Sequence, residues 1–102
     1  MADRGDSKLD KLPNNVEHYS TTPSFTQDSV PKSLLNEHRT KPGVWGLLNI
    51  ESGSLKYVIT EPGQESEIIL NRDNSAIIRP QQVHYVEPIN DVVFHVAFHR
   101  AP

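Results

Sequence analysis

The sequence predicts an all-β chain folded as an antiparallel sandwich or barrel. Three observations carry that expectation. Short apolar runs alternate with polar residues, most regularly in "VVFHVAFHR" (92–100). Turn signals separate these runs, and the chain holds eight prolines and five glycines. No stretch keeps apolar residues at the i, i+3, i+4, i+7 spacing of an amphipathic helix. Six to eight short strands between turns are the signature of such folds.

The elements follow in order. Residues 1–15, "MADRGDSKLDKLPNN", are polar and charged and read as a mobile tail. The tripeptide Arg4-Gly5-Asp6 within it spells a cell-adhesion motif, read here as a chance match. "SLLNEH" (33–38) is the first expected strand. "VWGLLNIE" (44–51) and "LKYVIT" (55–60) flank "ESGS", which predicts a hairpin. Side chains alternate along a strand, so Leu55, Tyr57 and Ile59 share one face. "EPGQ" (61–64) has Pro and Gly at the central positions of a type II turn. "ESEIIL" (65–70), the loop "NRDN", "SAIIRP" (75–80) and "VHYVEP" (83–88) come next. "PIND" is expected to turn the chain into the last strand. There Phe94, Val96 and Phe98 share one face, and His95, Ala97 and His99 the other. The aromatic face is the expected core face.

Composition narrows the function. A chain of 102 residues has room for one domain. Its net charge of -3 and pI near 5.9 argue against nucleic acid, whose phosphates need a basic face. No apolar run approaches the roughly 20 residues of a membrane span, and no secretory signal is evident. The chain has no cysteine, which excludes disulfides and thiolate ligands. These features predict a cytoplasmic protein. GxSxG, Walker A and GxGxxG patterns are absent, so hydrolase and nucleotide-binding readings lack support.

Histidine is the residue type that could carry chemistry. The five are His18, His38, His84, His95 and His99. Their spacing matches no compact metal signature such as HExxH, but a barrel draws ligands from distant strands. His84 alternates onto the same face as Val86. A semi-buried imidazole there needs a metal, a ligand or a hydrogen-bonding side chain, and both structural and ligand readings are open. His95 and His99 enter an interior only if the face opposite the aromatics lines it. Glu65 and Glu67 share one face and read as a solvated pair. The turn Pro42-Gly43 explains the polar interruption "NEHRTKPG", yet leaves His38 unexplained.

A family resemblance runs through these segments. It rests on Leu34, Leu35, His38, Thr40, Lys41, Gly43, Val44, Trp45 and Gly46. It continues through Ser52, Gly53, Leu55, Lys56 and Tyr57 to Pro80, His84 and Val86, and ends at Phe94, Val96, Phe98 and Arg100. The set resembles the small cupin-like domain of the TehB/YeaR family, the tellurite-resistance-protein-B-like proteins, over residues 19–100. The resemblance implies a cupin-like double-stranded β-helix, or jelly-roll barrel, as a single domain over 16–102. It implies a bacterial role in tellurite resistance and in nitrosative and oxidative stress. Some relatives join this domain to a methyltransferase using S-adenosylmethionine, which this chain has no Gly-rich loop to support.

Metal-binding cupins carry two histidines one residue apart, then a glutamate. Aligned on Gly53, those positions fall near Thr40, Pro42 and Gly46, none of which replaces the missing ligands. The resemblance therefore implies an irregular site for a divalent ion (zinc, nickel or iron) built from His38 and His84 with Glu37 or His95. Arg39 and Arg79 favour a small anion or oxyanion at the barrel mouth. Trp45 is expected as a contact or interface anchor, and a homodimer as the assembly, because a small barrel tends to cover an exposed edge strand. The competing expectation is a non-catalytic module that binds a small molecule or protein without metal, its histidines structural.

Overall fold

A computed structural model describes residues 11–102. The expected tail and its Arg-Gly-Asp tripeptide fall largely or wholly outside these. The elements are β1 (Glu17–Thr21), β2 (Phe25–Thr26), α1 (Lys32–Leu35), β3 (Trp45–Ile59), β4 (Ser66–Leu70), β5 (Ala76–Ile78) and β6 (His84–Arg100). Every strand pairing is antiparallel, in the order β1-β6-β3-β4, with β2 also on β6 and β5 on β3. The all-β expectation holds apart from one helical turn. No described helix is long and apolar enough to cross a membrane.

The sheet is organised around one long ribbon, β3 against β6, paired from Trp45↔His99 to Ile59↔His84. This corrects two expectations. "ESGS" is not a hairpin, and "PIND" does not end a strand. Both lie opposite each other inside the ribbon, where the register shifts repeatedly between Ile50 and Leu55. Gly53 adopts φ 71 there and Asp91 φ 37. β6 uses one residue more than β3 to pass the bend, which is a β-bulge.

The bend has a consequence for patterning. Before it, even-numbered residues of β3 are buried: Gly46, Leu48 and Ile50. After it, odd-numbered Leu55 and Tyr57 are buried. A straight strand would place these sets on opposite faces. The bulge lets both halves of the ribbon turn the same face inward. On β6 the inward set is His84 and Val86, then Val92, Phe94 and Val96. The predicted aromatic core face is therefore correct. Leu70 of β4 and Ile78 of β5 close the core, and Phe25 packs edge-to-face on Phe94 with ring centroids 5.7 Å apart.

"SLLNEH" is also corrected. Its first residues form the turn α1, and only His38 pairs, through an isolated bridge to His84. Pro31 precedes the turn with φ already near -61, a value proline fixes in advance. The Leu34 N–H donates to the Pro31 carbonyl at 3.0 Å. The Asn36 side chain donates back to the Lys32 carbonyl at 2.8 Å and closes the turn. Leu34 then rests on the core while Leu35 stays exposed. The type II turn at 61–64 forms as expected: the Gln64 N–H donates to the Glu61 carbonyl at 2.9 Å, with Gly63 at φ 81.

Candidate functional site

His84 opens β6 and is held from both sides. Ile59 is its partner on β3, and His38 pairs on its other edge. His38 and His84 exchange two backbone hydrogen bonds, each 3.0 Å. That pairing brings the side chains together, since directly opposed residues of an antiparallel pair share a face. The two rings meet edge-to-face with centroids 4.2 Å apart.

Each ring is oriented in the same way. Nδ1 of His38 lies 2.9 Å from the Asn36 carbonyl, and Nδ1 of His84 lies 2.7 Å from the Gln82 carbonyl. A carbonyl only accepts, so both Nδ1 atoms carry the proton and donate. Nε2 is then the nitrogen of each ring left without a hydrogen-bond partner among the described residues. His84 is 1% exposed. Burial lowers its pKa to about 4, against the Gln82 carbonyl bond, which raises it; the neighbouring His38 adds a further lowering. At neutral pH His84 therefore presents a neutral imidazole whose Nε2 is a lone-pair acceptor.

Both rings line a cavity of about 320 Å³. Its floor is apolar, built from Leu48, Ile78, Val86, Phe94, Val96 and Phe98. Its polar wall is His38, Arg39, Thr40, Lys41 and His84, with Arg39 and Lys41 exposed. Among the described residues, no aspartate or glutamate lines it. The Thr40 hydroxyl donates to the Val44 carbonyl at 2.8 Å and accepts from the Gln81 N–H at 3.3 Å, fixing the loop that carries the cations. Apolar walls with a few convergent polar groups are the usual make-up of a small-ligand pocket.

The other sequence-predicted residues lie elsewhere. Glu37 is exposed and does not line the cavity. His95 points from the outer face, its Nδ1 2.7 Å from Glu51 Oε2, and Ser24 donates to the same oxygen. His18 and His99 meet each other at the β1–β6 edge, with ring centroids 5.5 Å apart. Glu65 and Glu67 are exposed, as expected. Trp45 and Arg79 sit together on the outer face of the sheet, beside residues 11–14, and not in the histidine cavity. Among the described residues no three His, Cys, Asp or Glu side chains group in metal-binding geometry. Two imidazoles fall short of the three or four protein ligands of a zinc site. Sequence reasoning missed Lys41 as a cavity residue; only its place in the resembling "Thr-Lys" pair marked it.

Comparison with known proteins agrees with this architecture. The profile of the TehB-like domain matches residues 20–96. The chain is 32% identical over 83 residues to the probable S-adenosyl-L-methionine-dependent methyltransferase TehB of Haemophilus influenzae, covering 78% of this chain and 29% of that protein. It is 28% identical to the Escherichia coli (strain K12) protein YeaR, covering 90% of this chain and 84% of YeaR. The crystal structure of Haemophilus influenzae TehB superposes with a TM-score of 0.78 at 30% identity, over 86% of this chain and 32% of that one. A crystal structure from Escherichia coli (strain K12) superposes with a TM-score of 0.81 at 25% identity, over 90% of this chain and 97% of that one. The chain thus spans less than a third of the length of TehB. With its profile match, its relatives and its fold in agreement, the chain belongs to the TehB-like domain family.

Proposed function

We propose that this chain is a cupin-like barrel that binds a small oxyanion of the tellurite class in the His38–His84 cavity, as part of a tellurite or oxidative stress response. One observation carries the reading. Among the described residues, two imidazoles present unpartnered Nε2 atoms to a cavity whose only charged lining residues are Arg39 and Lys41. A singly protonated oxyanion matches that set. Its O–H donates to the neutral Nε2 of His84, and its charged oxygens accept from the guanidinium and ammonium groups. The ribbon folded over its own inner face, with a cavity inside, supports the jelly-roll description. Ile68 and Ile69 of the edge strand β4 are about half exposed, which supports a homodimer. A divalent metal is the less supported occupant, because two imidazoles leave its shell incomplete. The methyltransferase in the name of TehB is no part of this proposal.

Titration calorimetry with potassium tellurite tests the reading. Wild-type protein is expected to bind, and Arg39→Ala with Lys41→Ala together to weaken binding by about a hundredfold or more, the loss of two charge-assisted hydrogen bonds. Absence of binding, or equal binding by the double variant, overturns it. Elemental analysis of protein purified without added metal decides the metal alternative. A stoichiometric zinc, nickel or iron content would replace the oxyanion reading.

A further inference from the structure

An inorganic oxyanion in the His38–His84 cavity uses only its polar wall. Most of the surface that a ligand can reach inside the cavity is apolar. Leu34, Val44 and Phe98 line it and are each only half-buried, and Tyr19 beside them is 41% exposed. These four come from α1, the loop before β3, β6 and β1. The fold holds them in place. Leu34 and Phe98 pack on the core, and the Tyr19 ring lies under the Arg100 guanidinium, 3.9 Å from its centroid. The polar lining open to solvent is Arg39 and Lys41, both exposed, and His38, half-buried where His84 is 1% exposed. One cavity therefore offers solvent both a cationic lining and an apolar one.

Tellurite has no carbon to set against the apolar lining. Covering such surface is what favours an organic ligand. The volume of about 320 Å³ falls within the range of about 300–1,000 Å³ typical of pockets for small organic molecules. We infer that the cavity takes an amphipathic organic acid, a 2-hydroxycarboxylate with an apolar side chain. This rests on the function proposed above in one respect, that an oxyanion group faces Arg39 and Lys41. The carboxylate accepts from the guanidinium and ammonium groups. The hydroxyl donates to an imidazole Nε2, as the O–H of a protonated tellurite does, and His38 is the more open of the two rings. The apolar side chain covers Leu34, Val44 and Phe98. The corresponding amino acid fits less well. Its ammonium group would stand among Arg39 and Lys41, with no carboxylate among the described lining residues to offset the repulsion. A plain carboxylate lacks the donor for Nε2.

Titration calorimetry of the full chain tests this with glycolate, 2-hydroxybutanoate and 2-hydroxyhexanoate, each alone and in competition with potassium tellurite. Affinity is expected to rise about fourfold per added methylene, and so about 15-fold from 2-hydroxybutanoate to 2-hydroxyhexanoate. Hexanoate, which lacks the hydroxyl, binds about tenfold more weakly than 2-hydroxyhexanoate. Leu34→Ala and Val44→Ala, each at a half-buried position, lower the ratio of 2-hydroxyhexanoate to glycolate affinity by about fourfold. A general loosening of the loop would weaken both acids and leave that ratio unchanged. The outcomes separate the two readings. If tellurite binds but 2-hydroxyhexanoate binds no tighter than glycolate, this inference falls and the tellurite reading stands. A graded series without tellurite binding supports the inference and overturns tellurite as the ligand. No binding by any of these anions overturns both. Equal binding of hexanoate and 2-hydroxyhexanoate, or an unchanged affinity ratio in both variants, also overturns the inference.

Discussion

Replacing Gly53 with alanine is expected to destabilise the protein by about 3 kcal/mol or more, a large share of the roughly 5–15 kcal/mol that holds a small domain folded. Two effects add. Gly53 adopts φ 71, a left-handed conformation that costs an L-residue about 1–2 kcal/mol. A Cβ there would also lie 2.4 Å from the Asn90 carbonyl oxygen, 2.6 Å from that of Asp91 and 2.7 Å from Val92 Cα. All three are backbone atoms of the facing strand, so relief means moving β6 at its bend, at a further cost of about 1–3 kcal/mol. Gly43 separates the two effects. Its φ is 77, but a Cβ there meets nothing within 4 Å. Gly43→Ala therefore loses only the conformational part, about 1–2 kcal/mol. Urea unfolding of the two variants measures the difference. Equal losses would show that the close approach of the strands at Gly53 has no energetic weight.

Stability is expected to fall steeply as the pH drops from 6.5 to 4, and His84 is the cause. Its pKa is about 4 in the fold, against 6.5 for the free side chain. A group whose pKa is lowered by folding binds more protons when unfolded, so its contribution is present above the unfolded value and lost as pH falls through the folded one. A shift of this size corresponds to about 3 kcal/mol across that window. Protonation would place a charge on a ring that is 1% exposed and edge-on to a second imidazole. Urea midpoints at pH 7 and pH 4.5 measure the loss. His84→Leu keeps the volume and removes the titration, so its midpoint should change much less between the two pH values. The same acid-side loss in both proteins would assign it to carboxylates instead.

The parts of the fold legible in the sequence are those where one face is buried and the other is not. "VVFHVAFHR" announced both its strand and its inward face, because Phe94 and Val96 alternate with half-exposed His95 and Ala97. His84 with Val86 followed the same rule. β1 gave no such signal, since all five of its residues are exposed. The continuity of β3 through "ESGS" was hidden for a different reason. Gly and Ser read locally as a turn, and only the facing backbone of β6 holds them in a bulge. The helical turn at Lys32–Leu35 has too few residues for a period to show.

The candidate site was legible in its parts and not in its assembly. His38 and His84 stood out individually, one unexplained by turn chemistry and one on an apolar face. Their convergence depends on a single bridge between distant segments, which no local pattern encodes. Arg79 and Trp45 lie apart from that cavity, which local pattern could not show for the same reason. Alternation assigns a face, but not which opening of the barrel that face borders. Alternation put Tyr57 on one face with Leu55 and Ile59, but its burial emerges only once its neighbours are in place.

The β3–β6 ribbon also sets an order of events. Ile59 and His84 stand far closer along the chain than Trp45 and His99 at the opposite end. Closing the shorter loop loses less chain entropy, so zipping is expected to begin at Ile59 and His84 and to run outward through the Gly53 bend. The His38–His84 bridge adjoins that first-formed end, whereas Leu48, Phe94 and Val96 on the cavity floor belong to the half that closes last. The binding chamber would then be completed only at the final stage of folding, so its floor is the part exposed longest in a chain not yet fully zipped.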